Sequence, residues 1–371
     1  MESDNKLFLL DAYALIYRAY YAFIKNPRIN SKGFNTSAIL GFVNTLEEVL
    51  KKENPTHIGV AFDPAGPTFR HEAFEQYKAQ REETPEAIRL SVPIIKDIIR
   101  AYRIPILEVA GYEADDVIGT LATEAGRQGI TTYMMTPDKD YGQLVSDKVF
   151  MYRPKHTGGF EVMGVEEVKA KFDIQSPAQV IDMLGLMGDS SDNIPGCPGV
   201  GEKTAQKLIS EFGSIENLLE HTDQLKGALK TKVETNREMI TFSKFLATIK
   251  IDVPIQLEMD SLVREEADED SLRSIFEELE FRTLIDRVLK KEVSGNGITS
   301  TPGSKVATGK SAPSPLPLFP EEGGGIQGDL FANFTPNEPN EAKKSNLETL
   351  ESQPHNYQLI DTEEKLSLIH I

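Results

Sequence analysis

Leu7-Phe8-Leu9-Leu10-Asp11 and Ile58-Gly59-Val60-Ala61-Phe62-Asp63 decide the fold. Each is a short apolar run closed by an aspartate, and each is followed by a stretch long enough for a helix. Ile106-Leu107-Glu108-Val109, Thr131-Thr132-Tyr133-Met134-Met135 and Val149-Phe150-Met151-Tyr152 repeat the pattern through residue 150. Strands alternating with helices form βαβ units, which predicts an α/β fold with a mostly parallel sheet and helices on both faces. Residues 165–290 lose the alternation and read as mainly helical.

The acids follow the strands. Asp11 and Asp63 close the first two runs. Glu113, Asp115 and Asp116 come after the third, across Ala110-Gly111-Tyr112, and Asp138 and Asp140 come after the fourth. In a parallel sheet the carboxyl ends of the strands share one edge, where ligands bind. Gly188-Asp189-Ser190-Ser191-Asp192 adds Asp189 and Asp192, three residues apart and so on one side of a turn. A lone aspartate after a strand is usually a cap or turn residue, and Asp115 and Asp116 also suit the first turn of a helix. Five segments delivering nine carboxylates to one place point instead to a metal site. Clustered carboxylates repel unless neutralised, and oxygen-only ligands suit Mg²⁺ or Mn²⁺. Two such ions about 4 Å apart match in-line phosphodiester hydrolysis.

Two further segments carry cations. Arg70, Tyr77, Lys78 and Arg81 lie in a stretch with little apolar content, with Lys78 and Arg81 three apart on an expected helix. Such a cluster could hold a scissile phosphate, with Tyr77 stacking on a base; a solvated helix pairing with Glu72, Glu75, Glu82 and Glu83 fits the spacing as well. Pro195-Gly196-Cys197-Pro198-Gly199-Val200-Gly201-Glu202-Lys203-Thr204-Ala205 is more specific. Its glycines allow a tight turn and close approach, and the helix expected from Glu202 aims N–H groups at a phosphate, flanked by Lys203 and Lys207. Lys226, Lys230 and Lys232 read as solvated surface or a second backbone contact.

The 371 residues carry 40 Lys+Arg against 58 Asp+Glu, a net charge of −18. The length suits two domains and a tail, and a 39% hydrophobic content excludes a wholly disordered chain. A nucleic-acid binder usually shows a basic footprint, so the global charge argues against DNA. Placement reverses that inference, because nine of the acids form the proposed metal site and the cations gather at 70–81 and 203–232. The single Cys197 excludes an internal disulfide and points to a cytosolic protein. No run approaches the roughly 20 apolar residues of a membrane span, and the acidic N-terminus is unlike a signal peptide. After about Lys291, Gly, Pro and Ser dominate, as in a disordered linker.

The set Phe62-Asp63, Thr68-Phe69-Arg70-His71-Glu72, Gly111-Tyr112-Glu113-Ala114-Asp115-Asp116, Thr136-Pro137-Asp138-Lys139-Asp140 and Gly188-Asp189-Ser190-Ser191-Asp192-Asn193-Ile194-Pro195-Gly196 resembles the 5′-nuclease domain of bacterial family A DNA polymerase I, a relative of flap endonucleases. The resemblance runs from about residue 6 to 290. It implies a PIN-like catalytic core over 1–165, then a helical subdomain over 166–290 with a helix-hairpin-helix at about 196–211. A linker over 291–345 and the truncated start of a 3′→5′ exonuclease-like domain over 346–371 would follow. It also implies a structure-specific 5′-nuclease that removes 5′ flaps and RNA-primed ends in DNA replication and repair, as the front of a polymerase.

In that family the nine carboxylates match the ligands of two or more Mg²⁺ or Mn²⁺ ions. Lys78 and Arg81 match the residues near the scissile phosphate, with Arg70 in the same cluster. Gly199, Val200, Gly201, Lys203 and Thr204 match the hairpin that grips duplex phosphates, which often also holds a K⁺ through backbone carbonyls. The implied protein is a cytoplasmic, nucleoid-associated monomer. A PIN-type ribonuclease would share the carboxylates without needing the hairpin. A non-catalytic DNA-junction binding module would use them only structurally.

Overall fold

The computed structural model describes residues 5–155 and 158–289. The linker and the strand-like segment expected beyond residue 290 lie outside the described residues.

Six strands form one sheet: β1 (Lys6–Asp11), β2 (His57–Ala61), β3 (Ile106–Leu107), β4 (Thr131–Met135), β5 (Val149–Pro154) and β6 (Phe160–Met163). Their order is β3-β2-β1-β4-β5-β6. The first five pair in parallel, and β6 turns back antiparallel on β5. Asp11 faces Ala61 in register and Leu10 faces Met135, so the carboxyl ends of β1, β2 and β4 are level. The order reverses at β1, the kind of switch point at whose carboxyl edge parallel α/β sheets bind ligands. The third strand is shorter than its apolar run, and β6, a mixed polar segment without a clear alternation, was not expected.

Both faces of the sheet are buried, as parallel strands require. Leu7 and Leu9 point into one apolar cluster and Phe8 and Leu10 into the other, following the two-residue strand period. On the first face lies the helix Ala114–Arg127, packing Val117, Ile118, Leu121 and Ala125. That same cluster continues through Val180, Met183, Leu208, Ile209, Ile240 and Leu246 of the helices that follow residue 165. The helices Glu269–Glu278 and Arg282–Leu289 return to the second face, where Leu272, Phe276, Phe281 and Leu284 join Phe8 and Ile58.

Segment 69–81 departs from the expected helix. It is helical only over Phe69–Ala73. The chain then runs through turns, with Lys78 in the left-handed region at φ 57°. Among the described residues no helix is long and apolar enough to cross a membrane.

Candidate functional site

The site assembles at the level carboxyl ends of β1, β2 and β4. Asp11 ends β1 and caps the helix Ala12–Ala22, where Ala14 N–H donates to Oδ1 at 3.1 Å. Its Oδ2 accepts from the Thr136 and Tyr141 hydroxyls at 3.2 and 3.3 Å. Asp63 follows β2, and its Oδ1 accepts from Ala114 N–H at 2.7 Å, joining that strand to the start of the helix Ala114–Arg127 beyond β3. Glu113 is the N-cap of that helix and Asp115 and Asp116 lie in its first turn. Glu113, Asp115 and Asp116 place carboxylate oxygens within 4.8 Å of one another. Asp138 caps the turn Lys139–Leu144, accepting from Asp140 N–H at 2.9 Å.

Asp189 and Asp192 come from a loop closed by two hydrogen bonds between Asp189 and Ile194, at 2.9 and 2.7 Å. Gly188 and Gly196 clasp its base. Both have positive φ, and a Cβ on Gly196 would lie 2.3 Å from the Gly188 nitrogen. Only glycine allows that approach. Lys139 Nζ reaches Asp189 Oδ2 at 3.3 Å, tying this loop to the Asp138 turn.

Crowding shows in the electrostatics. Burial, then the charge of Asp63, pushes the Asp11 carboxyl up to about 7. Burial, then Asp116, pushes Asp115 well above the usual carboxylate range, and burial with Asp138 does the same to Asp140. Burial also raises Asp138, against the Asp140 N–H it accepts. For Glu113 and Asp192 burial is outweighed by cations: Lys78 and Arg70 hold the first below its ordinary range, and Lys78 and Arg81 the second. A hard divalent cation fits this oxygen-only set. Asp140 Oδ1, buried without a hydrogen-bond partner, is an acceptor that such an ion would satisfy.

The cations divide into two kinds. Lys78 Nζ donates to Glu113 Oε1 at 2.7 Å and lies 3.6 Å from Asp192 Oδ2. Arg81 donates to Asp192 Oδ1 at 2.5 Å and to the Ser191 carbonyl at 3.2 Å, with its side chain 43% exposed. Both stand at the rim of the carboxylates. Arg70 and Tyr77 do not match their expected roles. Arg70 is 1% exposed and its guanidinium is enclosed by Glu113, Asp116 and two backbone carbonyls, so it cannot reach a substrate. Tyr77 is 3% exposed and its single hydroxyl proton is shared between Glu113 Oε2 at 2.9 Å and Asp192 Oδ2 at 3.1 Å, so its ring is not available to a base.

At the hairpin, the helix Glu202–Phe212 buries Ala205, Leu208, Ile209 and Phe212. Gly199 has φ 76°, whereas Gly201 is extended, and a Cβ there would meet nothing within 4 Å. Lys203 faces solvent and Thr204 is half-buried, but the Val200 side chain belongs to the core, leaving only its backbone to face a ligand. The Gly199 carbonyl, the kind of donor a K⁺ would use, accepts from Lys232 Nζ at 3.3 Å, so an internal ammonium already supplies a monovalent charge there. Thr136, Lys139 and Tyr141 escaped the sequence-based choice of site residues, although all three sit in or beside the Asp138–Asp140 motif.

Two family descriptions cover most of the described chain. "5′-3′ exonuclease, N-terminal resolvase-like domain" matches residues 6–173, and "5′-3′ exonuclease, C-terminal SAM fold" matches residues 175–270. Curated relatives include DNA polymerase I of Bacillus caldotenax, 42% identical over 76% of this chain and 32% of the relative. DNA polymerase I of Bacillus subtilis (strain 168) is 43% identical over 78% of this chain and 33% of the relative. The chain thus spans about a third of the length of the curated relatives it matches. Among solved structures, T5 5′-exonuclease with bound zinc superposes with a TM-score of 0.55 at 21% identity, covering 74% of this chain and 98% of that one. The catalytic core of Rad2 in complex with DNA substrate gives 0.52 at 19%, covering 74% and 88%. At these identities the two structures speak to the fold.

Proposed function

The chain belongs to the 5′-3′ exonuclease family represented in bacterial DNA polymerase I, and from that premise we propose that it hydrolyses phosphodiester bonds at 5′ ends and 5′ flaps of DNA with the help of Mg²⁺ or Mn²⁺. The observation that carries the reading is the convergence of carboxylates from four strand ends and one clasped loop, with Lys78 and Arg81 at their rim. Asp11, Asp63, Glu113, Asp115, Asp138, Asp140, Asp189 and Asp192 are the side chains that would hold two or more ions; Asp116, the ninth expected ligand, is set apart because it is fully buried with both oxygens bonded to Arg70 and to backbone N–H groups. Divalent ions at such a site supply Lewis acidity and a nucleophile at neutral pH.

The protein's own groups do the rest. Lys78 and Arg81 can turn from Glu113 and Asp192 toward a phosphate and stabilise the negative charge that grows there. Thr136 and Tyr141 fix the orientation of Asp11 by donating to one oxygen. The Asp63 bond to Ala114 N–H holds the second strand end against the acidic helix. At the hairpin, the open space beside Gly201 and the ammonium of Lys203 suit a duplex backbone phosphate, a contact that positions DNA without reading its sequence. The polymerase I relatives, of which the chain matches about a third, support a place beside covalently linked polymerase domains. The same proposal has the protein acting as a monomer on RNA-primed 5′ ends during gap repair and Okazaki-fragment processing.

Cleavage of a 5′-labelled flap duplex, with and without Mg²⁺, tests the reading. Short labelled products should appear only with the metal, and Lys78→Ala should slow them roughly 10²–10³-fold, the range for losing one stabilising donor. No cleavage under any divalent ion would sink the enzymatic reading in favour of a DNA-junction binding module. Cleavage confined to an RNA strand would favour the ribonuclease.

A further inference from the structure

The nuclease reading leaves Arg70 without a task, yet it is the most completely bonded side chain near the carboxylates. A guanidinium has five N–H donors, and five hydrogen bonds are present. Nε donates to the Leu246 carbonyl at 2.9 Å. Nη1 donates to Asp116 Oδ2 at 2.8 Å and Glu113 Oε2 at 3.1 Å, and Nη2 donates to Asp116 Oδ1 and the Thr248 carbonyl, both at 2.8 Å. Asp116 is equally committed. Besides the forked pair it accepts from Glu113 N–H at 3.1 Å and Lys250 N–H at 2.8 Å, and it is fully buried.

These partners come from distant parts of the chain. Glu113 and Asp116 open the helix Ala114–Arg127, while Leu246 and Thr248 lie at the end of the helix Arg237–Ala247. The last carbonyls of a helix lack partners within it and form its negative end. Arg70 therefore joins the terminus of a helix behind the hairpin region to the turn bearing the acidic triad.

We propose that Arg70 is a positioning residue that, through Asp116, holds Glu113 and Asp115 in their working geometry and makes that geometry depend on the seating of the Arg237–Ala247 helix. Asp116 is the anchor of this joint. Lysine cannot replace the arginine, because a point charge with three donors cannot fork onto Asp116 while also reaching Glu113 and two carbonyls. The catalytic part of this inference rests on the nuclease reading; the structural part does not.

The test uses Arg70→Lys in the full chain, assayed well below its melting temperature. Amide exchange at Glu113 and Lys250, whose N–H groups end on Asp116, should speed up at least tenfold without metal or DNA. Under saturating Mg²⁺, kcat should fall about a hundredfold, the scale of a misplaced reacting group, with KM for the flap duplex within about twofold. The Mg²⁺ concentration for half-maximal activity should rise. Unchanged exchange, or a folded Arg70→Lys protein with wild-type kcat, would overturn the proposal. A loss confined to KM or to melting temperature would do the same. Should Arg70→Lys fail to fold, Asp116→Asn, which keeps the shape and one acceptor, carries the same expectations. If the wild type proves not to be a nuclease, the exchange measurement still decides whether the joint exists.

Discussion

Asp11 shows how one side chain carries both structure and chemistry. It caps a helix, takes two hydroxyl donors and lies beside Asp63, yet burial with that neighbouring charge lifts its carboxyl to about 7. A carboxyl raised in the folded state binds its proton more tightly there than in the unfolded chain. Its contribution to stability is therefore complete below the unfolded value of 3.8 and is lost as pH rises through about 7. In EDTA, melting temperature measured from pH 4 to 8 should carry a downward component with rising pH that Asp11→Asn removes. A variant with the wild-type slope would show that Asp11 is ionised throughout. Divalent ions should reverse the trend, since they bind the deprotonated carboxylates. Arg70 and Tyr77 mark the limit of what residue types reveal. Spacing exposes a charge and a ring but not their burial, and the partners that enclose Arg70 lie as far away as Thr248.

At the scale of the element, turns place the chemistry as much as strands do. The loop carrying Asp189 and Asp192 depends on Gly188 and Gly196 touching backbone to backbone. Gly196→Ala should cost roughly 1–3 kcal/mol, as strained backbone does, and should slow cleavage because the loop must shift. Gly201→Ala should behave in the opposite way. Its backbone is extended and a methyl meets nothing, so stability should fall only by the roughly 0.5–1 kcal/mol that alanine costs in place of glycine at a helix N-cap. Binding to a duplex should weaken if the backbone there approaches DNA. Urea denaturation with fluorescence anisotropy on a flap duplex separates the two effects. The strands were legible because apolar runs ending in acids carry their own signal, and the hairpin because its glycines flank an amphipathic helix. The expected helix over 77–81 was not borne out. Charged residues at helical spacing say nothing of the hydrogen bonds from Lys78 and Asn193 that pin this segment to the neighbouring loop.

At the scale of the molecule, the sheet is the common foundation. One apolar cluster runs from its first face into the helices after residue 165, and the last two described helices join the cluster on its second face, the first of them packing against the helix Glu86–Ala101. No local pattern announces that return, because Phe276 and Phe281 read as the buried stripe of any helix. Phe276→Ala should cost about 3–5 kcal/mol, the usual loss for a buried phenylalanine. A cost below about 1 kcal/mol on urea denaturation would mean that these helices do not complete the sheet core. The parallel sheet in turn explains why the net charge of −18 misleads about the partner. It gathers acids from distant segments onto one edge, where under the proposed function they would hold metal ions, while Lys78 and Arg81 stand beside them. The most direct test of this account is single-turnover cleavage of a 5′-labelled flap duplex at saturating Mg²⁺ by the wild type and by Asp138→Asn. Short labelled products are expected from the wild type and a loss of at least about 10²-fold in the variant, with folding intact by circular dichroism. Equal rates from the two proteins would contradict it.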